Sequence, residues 1–170
     1  MSGVNEDDSV EVGRLLAGAA KTIRSARYCW LATAAETGVA KLRPMGRVLH
    51  DTDKDEWMIR FLTDGRSRKV SDMRRASEVA IIFQHDPDLA FVTLFGKATL
   101  RESASEVRKH WKDAYTVYFP SELDQANAIF VEVDAQRLDL WIRGVTPEPF
   151  GLRATTLERE AGGAWRTMAV

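Results

Sequence analysis

Residues Phe61–Lys69 read FLTDGRSRK, and they contain a change from one kind of secondary structure to another. The apolar start predicts a strand that ends at Thr63, and the pair Asp64-Gly65 predicts a tight turn. Ser67 is a typical N-cap residue, so we expect a short helix from this serine to Ala76. The order of strand, turn and helix gathers two hydroxyl groups, two cationic side chains and the free N–H groups of a helix start around one point.

The segment from Thr63 to Lys69 therefore favours the binding of an anion. Free N–H groups and the positive end of a helix attract negative charge. Arg68 can donate two hydrogen bonds to phosphate oxygens, and Lys69 adds a point charge. Each charge-assisted hydrogen bond contributes about 1.5–3 kcal/mol. The alternative interpretation is a capped surface helix with solvated basic residues, and this segment alone leaves both open.

Alternating apolar residues predict about six core strands around this segment. The strands follow one another through short turns, so their pairing should be mostly antiparallel. Long strands and few helices favour a mainly β fold, a small closed or split barrel. Gly96 interrupts the fifth strand, which indicates a bulge or a sharp bend. The strands cover residues 28–33, 39–48, 56–63, 79–84 and 90–100, and residues 128–141 contain the strand IFVEV and a second extended piece, RLDLW.

Helices are expected at the margins of this barrel. Apolar residues at helical spacing predict an amphipathic helix near the start of the chain and a second substantial helix over residues 104–115. Pro147 and Pro149 then break the chain, and a terminal hairpin is expected around Gly162-Gly163. We expect one domain over residues 1–170, with the first helix at 8–26, the barrel at about 27–142 and the tail with its hairpin at 150–170.

The composition excludes several classes of protein. The 170 residues are 45% hydrophobic and 29% charged, which is typical of one globular domain. The net charge of -1 lacks the basic excess of most nucleic-acid-binding proteins. The sequence has neither an apolar run of about 18 residues nor the pattern of a signal peptide. We therefore expect a cytoplasmic protein that binds neither nucleic acid nor membranes.

Histidine and cysteine do not form a recognisable metal site. Cys29 is the only cysteine, and its apolar surroundings favour a small buried hydrophobe. His50, His85 and His110 fall in a connector, a turn and a helix, without the spacing of metal ligands. We interpret them as surface or packing residues. The sequence predicts no metal ion, and it leaves the catalytic residues unknown because no general acid or base stands out.

Arg43-Pro44-Met45-Gly46 is a second candidate binding element. A proline inside a strand is normally confined to an edge or a bulge. Such an edge leaves backbone groups free to contact a ligand, and a planar heterocycle with donors and acceptors would suit it. An ordinary edge-strand bulge explains the same residues equally well.

The order and spacing of these motifs resemble the pyridoxamine 5'-phosphate oxidase-like FMN-binding split-barrel superfamily, and within it the general stress protein subgroup. The resemblance covers nearly the whole chain, from Tyr28 to Trp141. It is carried by WLAT at Trp30–Thr33, RPM at Arg43–Met45, TDGRSRKV at Thr63–Val70, FVTLFGKATL at Phe91–Leu100, HW at His110-Trp111, YFP at Tyr118–Pro120 and DLW ending at Trp141.

The resemblance implies a six-stranded, mostly antiparallel split barrel and an FMN cofactor bound by nine residues. Residues of the second strand would lie along the flavin ring and ribityl chain, and residues ending the third strand would contact the cofactor. Residues at the helix start would hold the phosphate, and a tryptophan would approach the flavin bound mainly by the partner subunit of a homodimer. The residues of the second strand are Arg43, Pro44 and Met45, and those that end the third strand are Leu62 and Thr63. The residues at the helix start are Ser67, Arg68 and Lys69, and the tryptophan is Trp141.

The resemblance implies an FMN-dependent oxidoreductase that acts on an unknown small-molecule substrate. Oxidation of pyridoxamine phosphate itself is disfavoured, because Ile142–Arg153 contains no Arg-x-His and Phe91 stands where those oxidases carry glutamine. A non-catalytic flavin- or deazaflavin-binding stress protein would use the same residues and stays an alternative. Haem is disfavoured because the site region offers no histidine ligand.

Overall fold

The computed structural model describes residues 6–47 and 56–168. The connector that contains His50 lies outside the described residues. Short 3-10 helices cover Asp86–Asp88 and Asp113–Val117. The other elements are α1 Glu6–Ser25, β1 Tyr28–Ala34, β2 Ala40–Gly46, β3 Met58–Asp64, α2 Arg68–Arg75, β4 Glu78–His85, β5 Ala90–Arg101, α3 Ala104–Lys109, α4 Glu122–Asn127, β6 Ala128–Ile142, β7 Thr155–Arg159 and β8 Trp165–Thr167.

The strands form one antiparallel sheet, which confirms the predicted mainly β fold. Their hydrogen-bonded order is β2-β1-β4-β5-β6-β7-β8, and β3 pairs with the first part of β6. Along the edge of β6 that faces away from β5, residues 128–134 pair with β3 and residues 137–140 pair with β7. The two extended pieces predicted over residues 128–141 are therefore one long strand. The hairpin of β7 and β8 is added to the six predicted barrel strands.

The core forms because each element buries one face. In α1, Leu15, Ala19 and Ile23 recur at intervals of four residues, are almost completely buried and belong to the core. In β3 and β4 alternate residues are buried, and Phe61 and Phe83 are the largest of the fully buried side chains. Within the described ranges, no helix is both long and apolar enough to cross a membrane.

The long helix predicted over residues 104–115 is wrong in extent, because α3 covers only its first half. The chain leaves the helical conformation before Trp111, whose ring lies edge-on to Phe119 with centroids 5.9 Å apart. Tyr115 packs in the same way on Phe130 of β6, at 6.4 Å. Packing of these rings on the sheet outweighs the helical preference of the segment.

A β-bulge interrupts β5 at Gly96, as the sequence indicates. The pairing with β6 shifts here, because Phe95 lies opposite Arg137 whereas Gly96 lies opposite Ala135. A Cβ atom at position 96 would lie 2.2 Å from the carbonyl oxygen of Asp134. Glycine is therefore required by the close approach of the β6 backbone.

Gly96→Ala is expected to lower the free energy of unfolding by about 3 kcal/mol, because the β6 backbone has to move away from the new methyl group. Gly162→Ala is the matched control, since nothing lies within 4 Å of its Cβ position. Chemical denaturation followed by circular dichroism measures both variants. Equal stability of the two would contradict the close approach at the bulge.

Candidate functional site

A cavity of about 430 Å³ lies between β2 and β3. In the part of the chain that the structure describes, each of these strands is hydrogen-bonded along one edge only. The cavity therefore lies where hydrogen bonds do not close the barrel. Its volume falls within the range of about 300–1,000 Å³ that is usual for sites of small molecules and cofactors.

Five of the nine residues predicted from the sequence line this cavity. Pro44 and Met45 come from β2, Leu62 and Thr63 from β3, and Lys69 from the first turn of α2. The structure thus brings the edge-strand motif and the helix-start motif together, although they are separate segments of the sequence. Pro44 lies on an edge strand of the sheet, as predicted.

Ser67, Arg68 and Lys69 form what we call the helix-start corner. Ser67 occupies the N-cap position of α2, but its side chain does not cap the helix. Its hydroxyl oxygen is buried and has no hydrogen-bond partner among residues 6–47 and 56–168. A buried polar group without a partner costs about 1–3 kcal/mol, and the first N–H groups of the helix lack intrahelical partners. An acceptor bound at this corner would satisfy both.

Lys69 adds an unpaired, half-buried positive charge to the helix-start corner. Its ammonium group makes no hydrogen bond or salt bridge with any described residue. Burial and the nearby charge of Arg43 lower the pKa of Lys69, against the opposing effect of the Asp64 carboxylate. Asp64 is itself bound by Arg66, whose Nη2 atom lies 2.6 Å from Oδ2. A bound anion would relieve the repulsion between Lys69 and Arg43.

Arg43 stands beside the corner and is held there by Asp72. Its Nη1 atom donates to Thr33 Oγ1 at 2.9 Å, and its Nη2 atom lies 3.6 Å from Asp72 Oδ2. Thr33 donates to the same carboxylate at 3.1 Å, and Lys41 Nζ lies 3.3 Å from its Oδ1 atom. Burial disfavours the charged form of Asp72, but hydrogen bonds from Lys41 and Thr33 and the charges of Lys41 and Arg43 outweigh it and lower the pKa. Asp72 therefore fixes β1 and β2 to the helix that begins at the corner.

The other four predicted residues are not part of the cavity wall of a single protomer: Arg43 and Ser67, described above, and Arg68 and Trp141. Arg68 is exposed on α2, directly after Ser67. Trp141 lies opposite Phe91 near the end of β6, whereas the start of β6, at Ala128, lies beside β3. The cofactor roles of all nine predicted residues stay predictions.

Three features of the site were not predicted from the sequence. Tyr115, Tyr118 and Phe119 line the cavity, and two of them belong to a small apolar cluster with Phe130. Asp72 was missed although it lies between the buried Val70 and Met73 on α2, where a carboxylate has to meet a partner. Arg47, directly after β2, was missed as a lining residue because nothing in the sequence shows which charges stay unpaired.

Cys29 is a buried cysteine with a weakly acidic thiol. Its side chain is buried, and burial raises the pKa of the thiol to about 12, against a smaller opposing effect of Arg47. The Sγ atom lies 3.5 Å from the carbonyl oxygen of Met45. The structure thus supports the interpretation of Cys29 as a small packed side chain.

A larger, open concavity of about 1,150 Å³ lies elsewhere, around Gly96 and the β7–β8 hairpin. Its arginines already have acidic partners. Arg159 lies 2.9 Å from Asp134, and Arg137 lies 3.0 Å from Asp139. The smaller cavity between β2 and β3 has Lys69 and Arg47 without acidic partners in its wall and adjoins the buried Ser67 hydroxyl, so it is the candidate site.

Comparison with known proteins identifies a family and a shared fold. Residues 17–147 match the sequence profile of the family described as pyridoxamine 5'-phosphate oxidase like. The structure is similar to a protein from Clostridium acetobutylicum related to general stress protein 26 of Bacillus subtilis, with 18% identity and a TM-score of 0.63. That alignment covers 91% of this chain and 96% of the other.

Two further solved structures share this fold. A pyridoxamine 5'-phosphate oxidase-related, FMN-binding protein from Nostoc punctiforme has 17% identity and a TM-score of 0.63, and the alignment covers 100% of this chain and 98% of that chain. An F420 reductase has 13% identity and a TM-score of 0.53, over 69% of this chain and 93% of its own. No curated protein matches the sequence.

Ser67→Ala is expected to raise the free energy of unfolding of the ligand-free protein by up to about 1–3 kcal/mol, because it removes a buried hydroxyl that has no partner. Ser121→Ala should lower it by about 1 kcal/mol, because this serine caps α4 by accepting from Asp124 N at 3.1 Å. Urea denaturation compares the free energies of unfolding of both variants with that of the wild type. A decrease in the free energy of unfolding of Ser67→Ala as large as that of Ser121→Ala would reveal a structural role for the Ser67 hydroxyl.

Proposed function

The chain belongs to the pyridoxamine 5'-phosphate oxidase like family, and we propose that it binds FMN and acts as an oxidoreductase on a small molecule. The observation that carries this proposal is the helix-start corner. There the buried, unpartnered hydroxyl of Ser67 and the unpaired ammonium of Lys69 meet the start of α2. These groups are complementary to a phosphate.

The residues of the corner fit the phosphate of FMN in charge and in hydrogen bonding. The N–H groups of the helix start and the Ser67 hydroxyl donate to phosphate oxygens, and Lys69 supplies a positive charge. Arg68 is exposed and can extend its guanidinium over the same oxygens. Arg43, held by Asp72, adds a second charge beside Lys69.

The rest of the cavity suits a flat ring. Pro44 and Met45 on one side and Leu62 and Thr63 on the other present apolar and short polar surfaces. The free edge of β2 offers backbone donors and acceptors to the rim of a heterocycle. A bound flavin supplies the redox chemistry, and these residues supply its position and electrostatic surroundings.

The proposed assembly is a homodimer formed through the outer face of the sheet. Trp30 on β1 is 48% exposed, and it lies between Pro44 of β2 and Ile82 of β4. Leu42 on β2 is 56% exposed on the same face. Large apolar side chains exposed on adjacent strands are typical of an interface between subunits.

A dimer through this face also accounts for the position of Trp141. Its neighbour Phe91 lies opposite Gln84 of β4, which places Trp141 on the outer face of the sheet, four strands away from Pro44 on β2. A two-fold rotation about an axis near β4, the middle strand between β2 and β6, brings the β6 side of one protomer to the β2 side of the other. Trp141 of one protomer would then approach the cavity of its partner.

Trp30→Asp is expected to shift the protein from dimer to monomer, because it places a charge in the proposed interface. Val10→Asp is the matched control, since Val10 is 68% exposed on α1, outside this face. Sedimentation equilibrium at micromolar concentration measures the mass of each. A wild-type monomer, or an equal effect of both variants, would contradict this interface.

Titration with FMN tests the proposed cofactor. Wild-type protein should quench the fluorescence of FMN and keep the bands of bound flavin after desalting. Lys69→Ala should weaken the affinity roughly 10- to 100-fold, which corresponds to one charge-assisted hydrogen bond. Lys97→Ala, which alters an exposed lysine of β5, should leave it unchanged.

Unchanged affinity in Lys69→Ala would refute the phosphate assignment, and a wild-type protein that retains no FMN would refute the cofactor. The same titration with F420 tests the deazaflavin alternative, since a deazaflavin phosphate would use the same corner. Oxidation of reduced nicotinamide by the FMN-loaded protein separates an oxidoreductase from a non-catalytic flavin carrier.

A further inference from the structure

Arg47 is the basic residue of the cavity wall that the proposed phosphate site does not use. It lines the cavity directly after β2, where its Nη2 atom donates to the carbonyl oxygen of Ala26 at 3.3 Å. Its Nε atom is buried and lacks a hydrogen-bond partner in the described part of the chain. The guanidinium carbon lies 5.7 Å from the centre of the Phe83 ring, and burial lowers the pKa of this arginine, against a small opposing effect of Cys29.

Other half-buried arginines of the fold have an acidic partner, and Arg47 differs from them. Arg43 lies 3.6 Å from the carboxylate of Asp72, Arg60 2.9 Å from that of Glu132, and Arg159 2.9 Å from that of Asp134. No carboxylate of residues 6–47 or 56–168 lies within 4 Å of the Arg47 guanidinium. A cation removed from water without a partner is costly, so its presence in a cavity wall points to a negatively charged ligand.

The position of Arg47 along β2 separates it from the helix-start corner. Arg43, Met45 and Arg47 are half-buried, whereas Pro44 and Gly46 between them are exposed, so the first three share one side of the chain. Four residues of extended chain span about 13 Å. Positive charge therefore lies both at Arg47 and at Arg43 beside Lys69. The two carboxylates of the wall, Asp64 and Asp124, are already bound by Arg66.

The surroundings of Arg47 reinforce its positive charge. Tyr28 lies opposite Gly46 and lines the cavity. Arg27 stacks over the Tyr28 ring at 5.3 Å and, like Arg47, has no carboxylate within 4 Å in the described ranges. This end of the cavity thus has Arg47 and the Tyr28 phenol in its wall, with the exposed Arg27 stacked on that phenol, and aromatic rings such as Tyr115 form another part of the wall.

We infer that the Arg47 end of the cavity binds the carboxylate of a small planar substrate. The inference rests on the proposed function and specifies its substrate class. The phosphate of the cofactor occupies the helix-start corner, its ring covers Met45 and Leu62, and the substrate lies beside the ring with its carboxylate toward Arg47. The Nη1 atom makes no hydrogen bond to the described residues and is free to donate to that carboxylate.

Two probes of nearly the same shape, one charged and one neutral, test this inference. Benzoate and benzamide are titrated into FMN-loaded protein, and binding is followed by the change in the absorption spectrum of the bound flavin. Benzoate should bind more tightly than benzamide to the wild type. Arg47→Met should weaken benzoate roughly 10- to 100-fold, the effect of one charge-assisted hydrogen bond, and leave benzamide and FMN unchanged.

Two further variants separate charge from folding. Arg47→Lys should recover part of the benzoate affinity, because it restores the charge without the planar guanidinium. Arg14→Met, on the exposed surface of α1, should behave as wild type. Circular dichroism of each variant verifies that it is folded.

Equal affinities of the wild type for benzoate and benzamide would overturn the carboxylate site without affecting the proposal of FMN binding. An unchanged affinity of Arg47→Met for benzoate would do the same. Loss of FMN in Arg47→Met would assign this arginine to the cofactor and also overturn the carboxylate site. If the wild type retains no FMN, the proposed function fails, and calorimetric titration of the flavin-free protein with benzoate still decides the role of Arg47. Benzoate binding that depends on Arg47 would then uphold the anion site alone.

Discussion

The pairing of β6 is the constraint on which the rest of the structure depends. Because β3 pairs with β6 and not with β2, both β2 and β3 keep a free edge in the described structure, and the cavity lies between them. The turn after β3 then starts α2 beside this cavity. The carboxylate of Asp72 on that helix binds Thr33 of β1 and Arg43 of β2, so the two sides of the cavity are held at a fixed separation.

The site differs from the rest of the molecule in how its polar groups are satisfied. Elsewhere, half-buried charges are paired, as Glu132 is with Arg60 and Arg101. In the cavity wall, the Lys69 ammonium and the Arg47 guanidinium lack an acidic partner among the described residues, and beside it the buried Ser67 hydroxyl lacks a hydrogen-bond partner. Trp165 Nε1, outside the cavity, also lacks a partner but is neutral, whereas unpaired cations beside a buried hydroxyl are typical of a site that a ligand completes.

The parts of the structure that depend on local sequence could be predicted, and the parts that depend on distant contacts could not. The strand, turn and helix of Phe61–Lys69 and the bulge at Gly96 follow from residue types and spacing, and the structure contains both. The early end of α3 depends on where Trp111 packs in three dimensions. The importance of Asp72 and Arg47 depends on which charges come together, and spacing along the chain does not encode that.

The central claim is that the helix-start corner holds a phosphate group, and the most direct test compares FMN with riboflavin, which lacks the phosphate. The ratio of their dissociation constants for the wild-type protein measures what the phosphate contributes. We predict that FMN binds at least about 100-fold more tightly, because its phosphate accepts at least two charge-assisted hydrogen bonds. Equal affinities for the two flavins would contradict the claim.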